Sequence, residues 1–211
     1  GQPTGSPLAS VRRLTPLGIS NQYSALADVR LPDLPDGDYR FVVVTDADDQ
    51  LFEGRAGEAD NSFAAQGTLA IVHPDLSAAR ISSTKLATAG DVIPVNWTVR
   101  NTGSAAARGS WRDQIYLSTD TTLDAGDRLL ATIPRTGPLA IGGSYSAQTD
   151  VKLPIDLFGS AVYYLIEATD AGGQVKEYQA EANNQRATSI VVMMAPFADL
   201  VTSEVSVGSA L

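Results

Sequence analysis

The 211-residue chain has no cysteine and a single histidine, His73. A disulfide framework and thiolate metal sites are therefore excluded, whereas the redox compartment stays undetermined. Cations are also scarce: 15 Lys and Arg against 24 Asp and Glu give a formal charge of −9 and a pI near 4.5. The basic footprint of a nucleic-acid binder is missing, and the acidity favours solubility and divalent cations. No apolar run approaches the roughly 20 residues of a membrane helix, and no signal-peptide pattern opens the sequence. An export signal, if the chain is a piece of a secreted protein, is expected elsewhere. Nowhere in the first half does an amphipathic helical period outlast two turns.

What is present is repetition. Asp150-Val-Lys-Leu-Pro154 echoes Asp28-Val-Arg-Leu-Pro32, Thr169-Asp-Ala171 echoes Thr45-Asp-Ala47, and Glu181-Ala-Asn-Asn184 echoes Glu58-Ala-Asp-Asn61. Pro138-Leu139, Tyr145-Ser146 and Asp199-Leu200 answer Pro16-Leu17, Tyr23-Ser24 and Asp75-Leu76 in the same register. A period of about 120 residues makes the sequence a window on a tandem array. Residues 1–73 read as the C-terminal half of a first repeat, 74–197 as a complete repeat, and 198–211 as the opening strand of a third. The half-repeat is not an obvious independent unit.

Within the first half, strands are expected at Tyr23–Leu31, Tyr39–Thr45 and Gly67–His73, the first two joined by Pro35-Asp-Gly37. In the complete repeat Ile93, Val95, Trp97 and Val99 alternate with Pro94, Asn96, Thr98 and Arg100, the period-2 pattern of a strand with one buried face. Further strands are expected at Asp75–Ser83, Trp111–Ser118, Arg128–Ile133, Tyr145–Leu153, Ala161–Thr169 and Ala187–Met194. About seven strands with turns at this spacing predict an all-β fold of tandem immunoglobulin-like antiparallel sandwiches, with a small closed barrel as the alternative.

The run Trp111-Arg-Asp-Gln-Ile-Tyr-Leu-Ser-Thr-Asp120, with Leu123-Asp-Ala-Gly-Asp127 and Leu129-Leu130, resembles a CARDB repeat, the cell-adhesion-related domain found in bacteria. Val95-Asn-Trp-Thr-Val-Arg-Asn101, Tyr163-Tyr-Leu-Ile166, Thr169-Asp170 and Glu181-Ala-Asn-Asn184 belong to the same likeness. It covers about 75–194 fully and 15–73 as a C-terminal half. The resemblance implies an immunoglobulin-like sandwich from a large, repetitive bacterial surface or secreted protein with an adhesive role. One departure is Asp48-Asp49 in the first copy, where the second has Gly172-Gly173.

Two acidic clusters suggest Ca²⁺, which takes six to eight oxygen ligands. The first is Asp113, Asp120, Asp124 and Asp127. The second is Asp170, Glu177, Glu181, Asn183 and Asn184, mirrored by Asp46, Glu53, Glu58, Asp60 and Asn61. Each has an ion-free reading beside it, because Asp and Asn also cap turn amides. Catalysis finds little support: His73 sits beside Pro74 at the repeat junction without a Cys or a second His, and nothing marks a pocket flanked by paired carboxylates. The sequon Asn96-Trp-Thr98 lies inside an expected strand. Trp111, Tyr116, Tyr163 and Tyr164 either pack the core or line a sugar-binding face.

The expected function is thus a non-catalytic structural or adhesive module, an extender or fibre-building unit whose partners are neighbouring repeats. A homopolymer through strand edges such as Asp199–Val207, and a glycan or cell-surface ligand, are further expectations. The alternative is a carbohydrate-binding or accessory module of a secreted hydrolase.

Overall fold

A computed structural model describes residues 6–57, 60–157, 160–196 and 201–203. The chain divides after His73 into two units. In the first, β1 (Gly37–Tyr39) pairs antiparallel with β4 (Leu69–Ile71), and β2 (Val42–Val44) with β3 (Ser62–Ala64). A four-residue helical turn, Gly54–Gly57, lies between β2 and β3. None of the residues whose burial is described in this unit is buried. The strand expected at Tyr23–Leu31 is absent. The physical reason is visible in the second unit, where the segment of matching sequence, 145–153, pairs only with residues 92–101, a strand without a sequence match in 6–73. Backbone without a ladder partner stays irregular.

The second unit is a two-sheet sandwich. Its strands are β5 (Leu76–Ser83), β6 (Leu86–Thr88), β7 (Val92–Asn101), β8 (Ser110–Ser118), β9 (Arg128–Thr136), β10 (Ser144–Lys152), β11 (Ala161–Ala168) and β12 (Gln185–Met193). One sheet has the order β10-β7-β5 and the other β6-β12-β11-β8-β9. All pairings are antiparallel except β6 with β12, which is parallel. Seven of these strands coincide with the expected ones. The eighth, β6, is too short to leave a periodic trace in the sequence. Of the segment expected to open a third repeat, 201–203 carry no strand and the rest lies outside the described residues.

Alternation sets the core. Ile93, Val95, Trp97 and Val99 of β7 face Trp111, Ile115 and Leu117 of β8, Leu165 of β11 and Ile190 and Val192 of β12 in one buried cluster. Each large apolar side chain so buried contributes about 1.5–3 kcal/mol. Asn101, fully buried at the end of β7, uses its whole amide. Its Oδ1 accepts from the Asp75 and Gly103 amides, and its Nδ2 donates to the carbonyls of Ala105 and Leu139. It thereby ties the entry of β5 to the turn after β7.

Candidate functional site: a buried carboxylate hub and an acidic loop

The parity that sends Trp111 and Ile115 inward also sends Asp113 inward, and it is fully buried. An ionised carboxylate there requires donors, and it has four. Trp97 Nε1 donates at 2.9 Å, Arg135 Nε at 3.0 Å, Thr169 Oγ1 at 3.0 Å, and the Tyr145 hydroxyl reaches both oxygens at 2.8 Å. Arg135 also stacks its guanidinium over the Tyr145 ring at 4.7 Å, and Trp111 Nε1 donates to the Tyr145 hydroxyl at 3.3 Å. Burial first, and the Asp113 charge second, push the Tyr145 phenol well above its ordinary range. Five strands or strand ends are thus fastened to one side chain.

Glu167 lies on the same interior face of β11, opposite Ile115 in register. It too is fully buried, yet neither carboxyl oxygen has a hydrogen-bond partner, and nor does Arg135 Nη2. Burial, reinforced by the Asp113 charge and opposed by Arg135, pushes the Glu167 pKa up to about 9. It is therefore a neutral acid at pH 7.

Beyond β11 the chain enters the loop before β12. Asp170, at φ 43°, accepts the amides of Gln174 at 2.9 Å and Val175 at 2.8 Å, while the Gly173 amide bonds the Asp170 carbonyl at 2.8 Å. The first unit repeats this cradle. Asp46, also at φ 43°, accepts from Gln50 at 3.0 Å and Leu51 at 2.7 Å, and the Asp49 amide bonds the Asp46 carbonyl at 2.9 Å. The departure noted in the sequence does not alter the backbone: Asp49 at φ 53° holds the left-handed conformation that Gly173 holds at φ 58°. Aspartate visits that region more readily than other side chains do.

Glu177, almost fully buried, accepts from the Leu76 amide at 2.9 Å and from Asn184 Nδ2 at 3.0 Å, and Asn184 Nδ2 also bonds Glu181 at 3.0 Å. Burial raises the Glu177 pKa to about 7, with the charges of Glu181 and Asp170 adding to the rise. Asp170 and Glu181 are raised as well, burial again leading. Asn183 donates to Asp75 at 2.8 Å. A pocket of about 220 Å³ lined by Tyr116, Leu123, Asp170, Glu181 and Asn184 opens here, and the buried Oδ1 of Asn184 has no partner.

The first acidic cluster is not one place. Asp113 belongs to the interior hub, whereas Asp120 accepts from the Thr122 amide, Asp124 from Gly126, and Asp127 from Asp124 within the β8–β9 loop. Among the described residues no three carboxylates or imidazoles converge on a metal position. Glu58, in the mirrored set, lies outside the described residues. His73 meets Asp36, Nδ1 to Oδ1, at 2.6 Å. Of the aromatic residues, Trp111 is in the core cluster and Tyr163 packs against that cluster, while Tyr116 and Tyr164 lie on the opposite face of their strands. Sequence reasoning missed Trp97, Arg135, Tyr145 and Glu167 as a network. The signal was available: Asp113 sits between Trp111 and Ile115, and Glu167 two residues after Leu165, on inward parity.

Among the described residues no helix is long and apolar enough to cross a membrane. No curated protein matches the chain. Among solved structures, the CARDB domain of a Pyrococcus furiosus protein in complex with di-metal ions is similar at 15% identity and a TM-score of 0.44, over 58% of this chain and 96% of that one. A β-glucosidase from Listeria innocua in complex with glucose is similar at 14% identity and a TM-score of 0.36, over 60% of this chain but 17% of the enzyme. The family model for CARDB matches residues 73–188, more than half of the sequence, and the chain belongs to the CARDB family of bacterial cell-adhesion-related domains.

Proposed function

We propose that the chain is a non-catalytic structural and adhesive repeat module of a large bacterial surface or secreted protein, an extender or fibre-building unit in a tandem immunoglobulin-like array. The carrying observation is where the second unit keeps its reactive groups. Asp113 and Glu167 are sealed in the interior, and the donors around Asp113 fasten strands together instead of facing a substrate. Repeats that contact mainly their neighbours transmit length. Neighbouring repeats are the first partners in this reading, and strand-edge contacts through β9 or β10 are the route to a homopolymer. A strict monomer on sizing at high concentration removes that route.

Ca²⁺ stabilisation is part of the proposal. The donors that suit it are Asp170, Glu181 and Asn184, whose Oδ1 is buried without a partner, with Glu177 behind them. Ca²⁺ accepts amide and carbonyl oxygens beside carboxylates, so fewer than three convergent carboxylates is no obstacle. The melting temperature of the chain is expected to rise in millimolar Ca²⁺ relative to chelator, and equal values in both eliminate this part.

A carbohydrate-binding or hydrolase-accessory role is the second reading, favoured by Tyr116 and Tyr164 on one outward face. Binding on a glycan array that Tyr164→Ala abolishes would support it over the spacer reading. Silence on the array leaves the spacer reading in place.

A further inference from the structure

We propose that residues 6–73 form a docking surface for one kind of partner: a strand set patterned like residues 74–122 of this chain, which brings a buried aspartate to Arg13, Tyr23 and Thr45. Three of the four side chains that donate to Asp113, namely Arg135, Tyr145 and Thr169, lie C-terminal to residue 122. The repeat register carries them to Arg13, Tyr23 and Thr45 in the first unit. Part of the arrangement is already assembled there. The Arg13 guanidinium stacks over the Tyr23 ring at 4.4 Å, as Arg135 does over Tyr145 at 4.7 Å. The Thr45 hydroxyl, whose counterpart donates to Asp113, turns to the backbone and side-chain oxygens of Asn61, both at 3.2 Å.

Apolar residues of the same unit point to the same occupant. Leu31, Phe41 and Leu51 are 37%, 42% and 65% exposed, whereas their counterparts Leu153, Leu165 and Val175 are 1%, 0% and 3% exposed. In the second unit that face is covered by β5, β7 and β8, all within 74–122, which supply Trp97, Asp113 and Ile115. The chemistry of the partner follows. It needs alternating apolar residues on two neighbouring strands and one carboxylate placed to accept from Arg13, Tyr23 and Thr45. Val43 stands where the second unit has Glu167, so the completed core holds one acid rather than two. Docking of a strand set onto an open sheet of this kind supplies main-chain pairing as well as apolar burial.

The inference rests on reading residues 1–73 as a half-repeat. Its test is the full chain with an extra copy of residues 74–122 fused ahead of Gly1, compared with the unfused chain by amide hydrogen exchange resolved to single residues. Amides of 23–30 and 41–45 are expected to exchange about tenfold more slowly, or better, in the fused chain. Asp113→Asn in the added copy alone, and separately Thr45→Val, are expected to reverse most of that protection. Unchanged exchange at 23–30 overturns both the inference and the half-repeat reading on which it rests. Protection indifferent to the aspartate overturns the inference but leaves the half-repeat intact. A dimer on sizing, with the added copy paired to residues 123–194 of another molecule, also overturns it.

Discussion

Glu167 and Asp113 share the interior of one sandwich, and only Asp113 has donors. Burial, with the Asp113 charge adding to it, keeps Glu167 protonated, since a second buried charge without donors would cost far more than one. Stability therefore depends on pH in a definite direction. The folded pKa of about 9 exceeds the ordinary glutamate value of 4.5. Glu167 thus contributes fully below pH 4.5, and the contribution is lost as pH rises towards 9, because the unfolded state holds fewer protons. Urea unfolding from pH 6 to pH 9 is expected to show this loss at up to about 1.4 kcal/mol per pH unit. Glu167→Gln keeps the shape without the ionisation, and should flatten the slope and raise stability at pH 8. A variant with the same slope as the parent would contradict the assignment.

Asp113 presents the opposite case, a charge whose removal strands its donors. Asp113→Ala leaves the buried Trp97 Nε1 and the half-buried Tyr145 hydroxyl and Arg135 guanidinium facing a void. Breaking a buried pair in this way costs about 3–5 kcal/mol. The midpoint of urea unfolding should fall accordingly without a change in its slope. A loss below about 1 kcal/mol would show that water readily takes the carboxylate's place.

Asn101→Ala removes four hydrogen bonds at once. Each buried polar group left unpaired costs about 1–3 kcal/mol. The variant is expected to be at least as destabilised as a large-to-small change in the core, and faster amide exchange at Asp75 and Gly103 would locate the effect.

The matching cradles at Asp46 and Asp170 yield a substitution test. Gly173 is in the left-handed region, and a Cβ there would meet nothing within 4 Å. Since Asp49 holds the same conformation, Gly173→Asp should cost less than about 1 kcal/mol. Gly173→Val, β-branched and unsuited to positive φ, should cost more, by roughly 1–3 kcal/mol. Equal costs for the two would mean that space, not backbone conformation, decides this position.

The strands were legible in the sequence wherever two sheets bury them, because alternation at Ile93–Val99 or Trp111–Leu117 records a face that is actually covered. Tyr23–Leu31 carries the same alternation and is no strand, since periodicity reports what a segment would bury and not whether its ladder partner is present. The acidic loop was legible as a cluster, but its carboxylates turned out to hold backbone amides at Gln174, Val175 and Leu76. Nearness in sequence groups Asp113 with the loop acids. Its inward parity, which separates it from Asp120 and Asp124, was the stronger signal. Glu167 went unread because an acid on the buried face of a strand looks like an interruption of the pattern.

The spacer reading is tested most directly by stretching single molecules of the chain between its ends and recording the extension released as the second unit gives way. One cooperative step of about 400 Å, the contour of residues 76–193, with a rupture force that falls in Asp113→Ala, is the predicted result. Gradual extension without such a step, or a step that is blind to Asp113, would contradict a sandwich fastened through its buried carboxylate.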